Sequence, residues 1–223
     1  MKKLKMLANV ALALAVGFSS TACAAGGSNL KVKINKQIGS VTVKHNGKSV
    51  TIKRDQNQKA TVNKAFAKTS RKCPPFCIQP STLAPGVETI AEVEVLDYLD
   101  RLHNKGDKSI LVVDSRTAKF WKAGTIPGAV SIPFTKLSPA KGADPLSMSD
   151  IMEGQFNATS QEGIWNFSKA KTLVLFCNGM WCGQSPNNIK SLLGLGYPAD
   201  KIKWYRGGMQ DWEVLGLTTV PGK

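Results

Sequence analysis

The chain has 223 residues, 42% of them hydrophobic and 20% charged, a composition that suits a globular protein with one main domain and argues against a disordered chain. Its formal charge is +15, but residues 86–223 contribute only +1 of that. The basic character belongs to the N-terminal part: three Lys and no acid in residues 1–24, then 12 basic residues against Asp55 alone in residues 25–85.

Lys2, Lys3 and Lys5 precede an apolar stretch from Met6 to Phe18, followed by small residues to Ala25. A basic head, a short apolar middle and a small-residue end read as a signal peptide over residues 1–24, with cleavage after Ala24. The apolar run falls short of the ~20 residues of a membrane span. Lipid attachment at Cys23 is the alternative, disfavoured because Ser20 stands where a lipobox usually has Leu. The expectation is an exported, periplasmic protein.

Residues 25–85 read as a basic N-terminal arm. Val41–His45 and Ser49–Lys53 alternate apolar with polar residues around Asn46-Gly47, which predicts a hairpin at 40–54. A lone hairpin is marginal in water, so this one needs a surface to pack on. Residues 55–72 show no sustained period and read as extended chain. Cys73 and Cys77 flank two prolines and Phe76; in an oxidising compartment they form a local disulfide or pair with another cysteine, with a redox or docking role as the alternative. The arm's charge is expected to act as a solvated tether or to meet an anionic surface; export argues against nucleic acid.

From residue 86 the pattern changes. Ile90, Val93, Leu96, Leu99 and Leu102 make a helical stripe ending before Gly106. Ile110–Val113 and Thr172–Phe176 are continuous apolar runs, the signature of buried parallel strands. Residues 129–133 and 202–205 read as further strands, and 185–195 and 209–215 as helices. The alternation predicts an α/β fold: an open, mostly parallel sheet flanked by helices.

In such sheets reactive groups gather beyond the carboxyl ends of the strands. Cys177 stands where a strand stops and a helix is about to start. Backbone amides of the loop Asn178, Gly179, Met180, Trp181, Cys182, Gly183 and Gln184 are expected to hold an anionic substrate, and their field to lower the thiol's pKa. Gly179 and Gly183 are expected to let the loop curl. The chemistry that fits is attack by Cys177 on a small anion, with a negative covalent adduct held by the amides. Cys182 is a resolving thiol, a disulfide partner of Cys177 or loop filler. Trp181 either shields the adduct from water or serves docking. Two histidines, His45 and His103, and the CxxxC and CxxxxC spacings make no convincing metal set. No metal and no cofactor are expected.

Asp114-Ser115-Arg116, Gly124-Thr125-Ile126-Pro127-Gly128-Ala129, Cys177 after its apolar strand, and Arg206-Gly207-Gly208 running to Trp212 together resemble a rhodanese domain, here over residues 86–223. The resemblance implies a sulfurtransferase in which Cys177 becomes a persulfide and passes sulfane sulfur from a thiosulfate-like, small sulfur-containing anion to a thiophilic acceptor, such as a thiol on a partner protein. It implies structural support from Asp114 and Arg116. Active members often carry a cation in the Cys loop, whereas residues 177–185 hold none; the basic arm, Lys119 or Lys122 is left to compensate. That departure keeps two alternatives open: a catalytically weak binding module, or thiol–disulfide exchange through Cys177 and Cys182.

Overall fold

The computed structural model describes residues 29–223, so the signal-peptide reading of residues 1–24 and Cys23 lie outside the described residues. Strands β1 (Ser40–His45) and β2 (Lys48–Lys53) form the expected antiparallel hairpin. Its turn places Asn46 and Gly47 at φ 50° and 78°, the left-handed pair that a two-residue hairpin demands. Val41, Val43 and Ile52 turn inward and share one core with Leu96, Leu99, Trp121 and Trp212. Backbone bonds from Thr218 to Lys53 and from Asp55 to Gly216 fasten the hairpin to the C-terminal segment. Residues 55–87 contain neither helix nor strand.

The main sheet has five parallel strands in the order β3 (Glu88–Ile90), β9 (Ile202–Tyr205), β8 (Thr172–Phe176), β4 (Ile110–Asp114) and β5 (Val130–Ser131). The central apolar runs are continuous because both faces are covered. Val112, Val174 and Phe176 face one core with α1 (Glu92–Asn104), α2 (Ala118–Ala123) and α5 (Gly208–Val214). Leu111, Val113, Leu173 and Leu175 face a second core with α4 (Gln184–Gly194) and α3 (Pro145–Gly154). Among the described residues no helix is long and apolar enough to cross a membrane.

The apolar stripe expected to start the first helix at Ile90 is shared: Ile90 ends β3 against Tyr205, and the helix begins at Glu92. The expected strand at 129–133 shrinks to two residues. Helices α2 and α3 and the small hairpin β6 (Thr159–Gln161)–β7 (Ile164–Asn166) are additional. The start of α3 was legible in Asp144-Pro145: the carboxylate accepts from Ser147 N at 2.8 Å, with proline in the first helical turn.

His45, at the end of β1, and His103, on α1, meet on opposite sides of Gly128: His45 Nδ1 accepts from Gly128 N at 3.2 Å, and a Cβ on Gly128 would lie 2.7 Å from His103 Nε2. Burial lowers both imidazole pKa values below 6.5. In that range the unfolded chain takes up protons that the folded one refuses, so stability falls as pH drops below 6.5 and levels off below the folded values. Urea unfolding at pH 7.5 and 5.5 should show the lower midpoint at 5.5, and a His45→Gln, His103→Gln double variant should flatten the difference; an unchanged difference contradicts this account.

Candidate active site

Strand β8 delivers Cys177 and the neighbouring β4 delivers Asp114, so both stand at the carboxyl edge of the sheet. Arg116 reaches back to Asp114, Nε to Oδ1 at 2.9 Å and Nη2 to Oδ2 at 2.7 Å, with both side chains essentially sealed from solvent. The remaining valences are filled: Thr125 Oγ1 donates to Asp114 at 2.8 Å, and Arg116 donates to Gly124 O and, at 3.4 Å, to Asn178 Oδ1. One buried ion pair thereby ties the loop after β4, the start of the 125–129 turn and the Cys loop together.

The Cys loop is anchored from a second side by α5. Met209 N and Gln210 N donate to the carbonyls of Cys177 and Asn178, both at 2.9 Å. The approach is close enough that a Cβ on Gly208, at φ 57°, would stand 2.4 Å from Cys177 O. Only glycine fits there. Gly179 also has no room for a side chain, lying under Gln210 and Trp181. Gly183, by contrast, has ordinary φ −89° and open space around it, so the curl expected of it is not its role.

The two loop thiols are free, buried and unequal. Cys177 is 2% exposed; its Sγ takes a hydrogen bond from Ser185 Oγ at 3.1 Å and lies 3.4 Å from Cys182 O, while Trp204 Nε1 holds Ser185 at 3.2 Å. A tight turn, Cys182 N to Gly179 O at 2.9 Å, folds Cys182 over it. Burial pushes the Cys177 thiol up, contrary to the expectation that the loop field would lower it. Cys182 goes the other way, to about 7, through the hydrogen bond from Cys177 and the amides of Asn178 and Gln184. Of the backbone amides here, those of Asn178 and Gln184 favour the Cys182 thiolate and that of Ser185 the Cys177 thiolate.

Above the loop opens a cavity of about 690 Å³. Asn178, Trp181, Cys182, Gly183 and Gln184 line it; Cys177, Gly179 and Met180 do not. Met180 points outward and its carbonyl accepts from Gln79 N at 2.8 Å. Lys119 and Lys122 are not part of the lining, whereas Lys141 and Arg71 are. Residues 63–76 supply the wall facing the loop, and Phe120, Phe134 and Glu213 complete it. Nothing in the sequence marked these positions, since the extended arm carries no periodic signal that says where it lies. Burial raises the Glu213 carboxyl pKa. Cys73 and Cys77 form the local disulfide. Among the described residues no group of His, Cys, Asp and Glu could hold a metal ion.

A five-stranded parallel sheet flanked by helices on both faces, with a cysteine loop at the end of its central strand, defines an open α/β domain. The rhodanese-like domain family matches residues 95–214, and the chain belongs to it. Solved structures with a similar fold include thiosulfate sulfurtransferase from Pseudomonas aeruginosa (18% identity over 61% of this chain and 21% of that one, TM-score 0.40). They also include a rhodanese-like domain from Anabaena (17% identity, 62% of this chain and 80% of that one, TM-score 0.38). A human single-domain sulfurtransferase is similar at 21% identity over 56% of this chain and 95% of that one, TM-score 0.37. The match thus spans about a fifth of the Pseudomonas enzyme. No curated protein matches the chain.

Proposed function

We propose that the protein is a persulfide-carrying sulfurtransferase whose carrier is the Cys177–Cys182 pair, with Cys182 meeting the donor. The observation that carries this reading is the position of Cys182: it lines the cavity and Cys177 does not, and the hydrogen bond from Cys177 and the amides of Asn178 and Gln184 lower its thiol pKa. The sequence alone assigns the first attack to Cys177.

In the first step the Cys182 thiolate attacks the terminal sulfur of a thiosulfate-like donor. The S–S bond breaks, sulfite leaves with the electron pair, and a Cys182 persulfide anion remains beside the amides of Asn178 and Gln184. An acceptor thiolate then takes the outer sulfur and restores the thiolate, so no net oxidant or reductant is needed. A second reading follows from the closeness of the two thiols. Cys177 attacks Cys182 Sγ, hydrosulfide leaves, and the resulting disulfide is reset by an external dithiol.

The proposed setting is an oxidising compartment outside the cytoplasm, supported by the signal-peptide pattern of residues 1–24 and by the Cys73–Cys77 disulfide. The test is the intact mass of the reduced protein before and after thiosulfate, with peptide mapping. One added sulfur on the 177–182 peptide supports sulfur transfer. A Cys177–Cys182 disulfide with released sulfide supports the second reading, and no change overturns both.

A further inference from the structure

The cavity is larger than a bare tetrahedral anion needs, and its walls are mostly apolar, with Phe66, Phe76, Phe120, Phe134 and Trp181 among them. Its volume of about 690 Å³ falls in the range that usually encloses an organic ligand. Phe66 and Phe76 come from the arm, Trp181 from the Cys loop, and Phe120 from α2. The arm is fastened over this site. Gln79 N binds Met180 O, Arg206 holds the carbonyls of Gln79 and Pro80 at 2.7–3.2 Å, and Gln210 bridges Trp181 Nε1 at 2.7 Å to Phe66 O at 3.1 Å. The Cys73–Cys77 disulfide closes the segment that sets Phe76 edge-on to Trp181 at 5.6 Å.

Arg71 is part of this wall. Its guanidinium carbon sits 3.7 Å from the Trp181 ring centroid, and its Nε is buried with no hydrogen-bond partner among the described residues. Stacking fixes a planar donor fork in place while leaving donors for a ligand. The other charged groups at the cavity are Lys141, Arg116, already occupied by Asp114, and the half-buried Glu213, whose carboxyl pKa is raised by burial and lowered by Arg116. The loop that lacks a cation of its own thus faces one supplied from the arm.

We propose that residues 63–79 complete the active site and that Arg71 binds the anionic end of an organic sulfane-sulfur compound, such as a thiosulfonate, whose apolar body lies on Phe66, Phe76 and Trp181. The identity of the sulfur group rests on the sulfurtransferase reading; the site for an apolar-bodied anion does not. With a thiosulfonate, the thiolate takes the terminal sulfur, the S–S bond breaks, and the sulfinate leaves with the electron pair.

The test uses benzenesulfonate, an unreactive anion with an apolar ring, against sulfate, both titrated into the full-length mature protein by calorimetry. Benzenesulfonate should bind at least about tenfold more tightly than sulfate. Arg71→Gln should weaken benzenesulfonate about tenfold, with Arg71→Lys between the two because it keeps the charge and loses the fork. Phe76→Ala should weaken benzenesulfonate and leave sulfate unchanged. Equal affinity for the two anions, or benzenesulfonate binding indifferent to Arg71→Gln and Phe76→Ala, overturns the proposal. Because neither probe reacts, binding as expected together with no persulfide from thiosulfate would sink the sulfurtransferase reading and leave this site standing. Persulfide formation without preference for benzenesulfonate would do the reverse.

Discussion

Cys182→Ser should lower the rate of sulfane-sulfur uptake by about a thousandfold or more, because a hydroxyl at that position is not ionised near neutrality and, among the described residues, no other thiol lines the cavity. Cys177→Ser should leave uptake in place and let persulfide accumulate at Cys182, since the thiol that could displace hydrosulfide is gone. The wild-type rate should rise with pH and reach half its plateau near 7, where the Cys182 thiol ionises. That sign follows from the thiolate being the nucleophile. Stopped-flow sulfite release with thiosulfate, measured from pH 5.5 to 9, reads all three. A Cys177→Ser variant that is dead beside an active Cys182→Ser variant would return the first attack to Cys177. It would mean that the loop opens before it reacts.

The Asp114–Arg116 pair should dominate the stability of the edge that carries the site. Asp114→Ala leaves the Arg116 guanidinium buried with only Gly124 O and Asn178 Oδ1 for company, and should cost about 3–5 kcal/mol. Urea unfolding reads the loss. Replacing both residues by apolar ones should cost much less than Asp114→Ala alone, because an unpaired buried charge is worse than none. A loss below about 1 kcal/mol for Asp114→Ala would show that water reaches the pair and that the seal is imperfect.

Most of the sheet could be read from residue order. Ile110–Asp114, Thr172–Phe176 and Ile202–Tyr205 are strands at the predicted positions; the first two were marked by the unbroken apolar run that a strand covered on both faces needs. Asn46-Gly47 likewise specified its turn locally, since two successive left-handed residues exclude most other sequences. The position of Cys177 at the end of a strand followed from the same run. Helix α2, by contrast, is six residues long, and its one buried residue is Trp121; no periodicity can show in so short a segment.

The division of labour at the site was decided elsewhere. Sequence spacing places Cys177 and Cys182 in one loop, but which sulfur faces the cavity depends on a turn between Gly179 and Cys182 and on Ser185 and Trp204 holding Cys177 beneath it. The first two act within one loop, which Trp204 braces from another strand, and the meeting of Arg71 with Trp181 joins residues far apart in the chain. The amino-acid sequence determined the strands, the turn and the family, because each rests on local chemistry that a short stretch of residues carries by itself. The tertiary structure alone decided which loop cysteine lines the cavity and which cation stands beside it, because burial and field at a point are set by whatever the rest of the chain brings there.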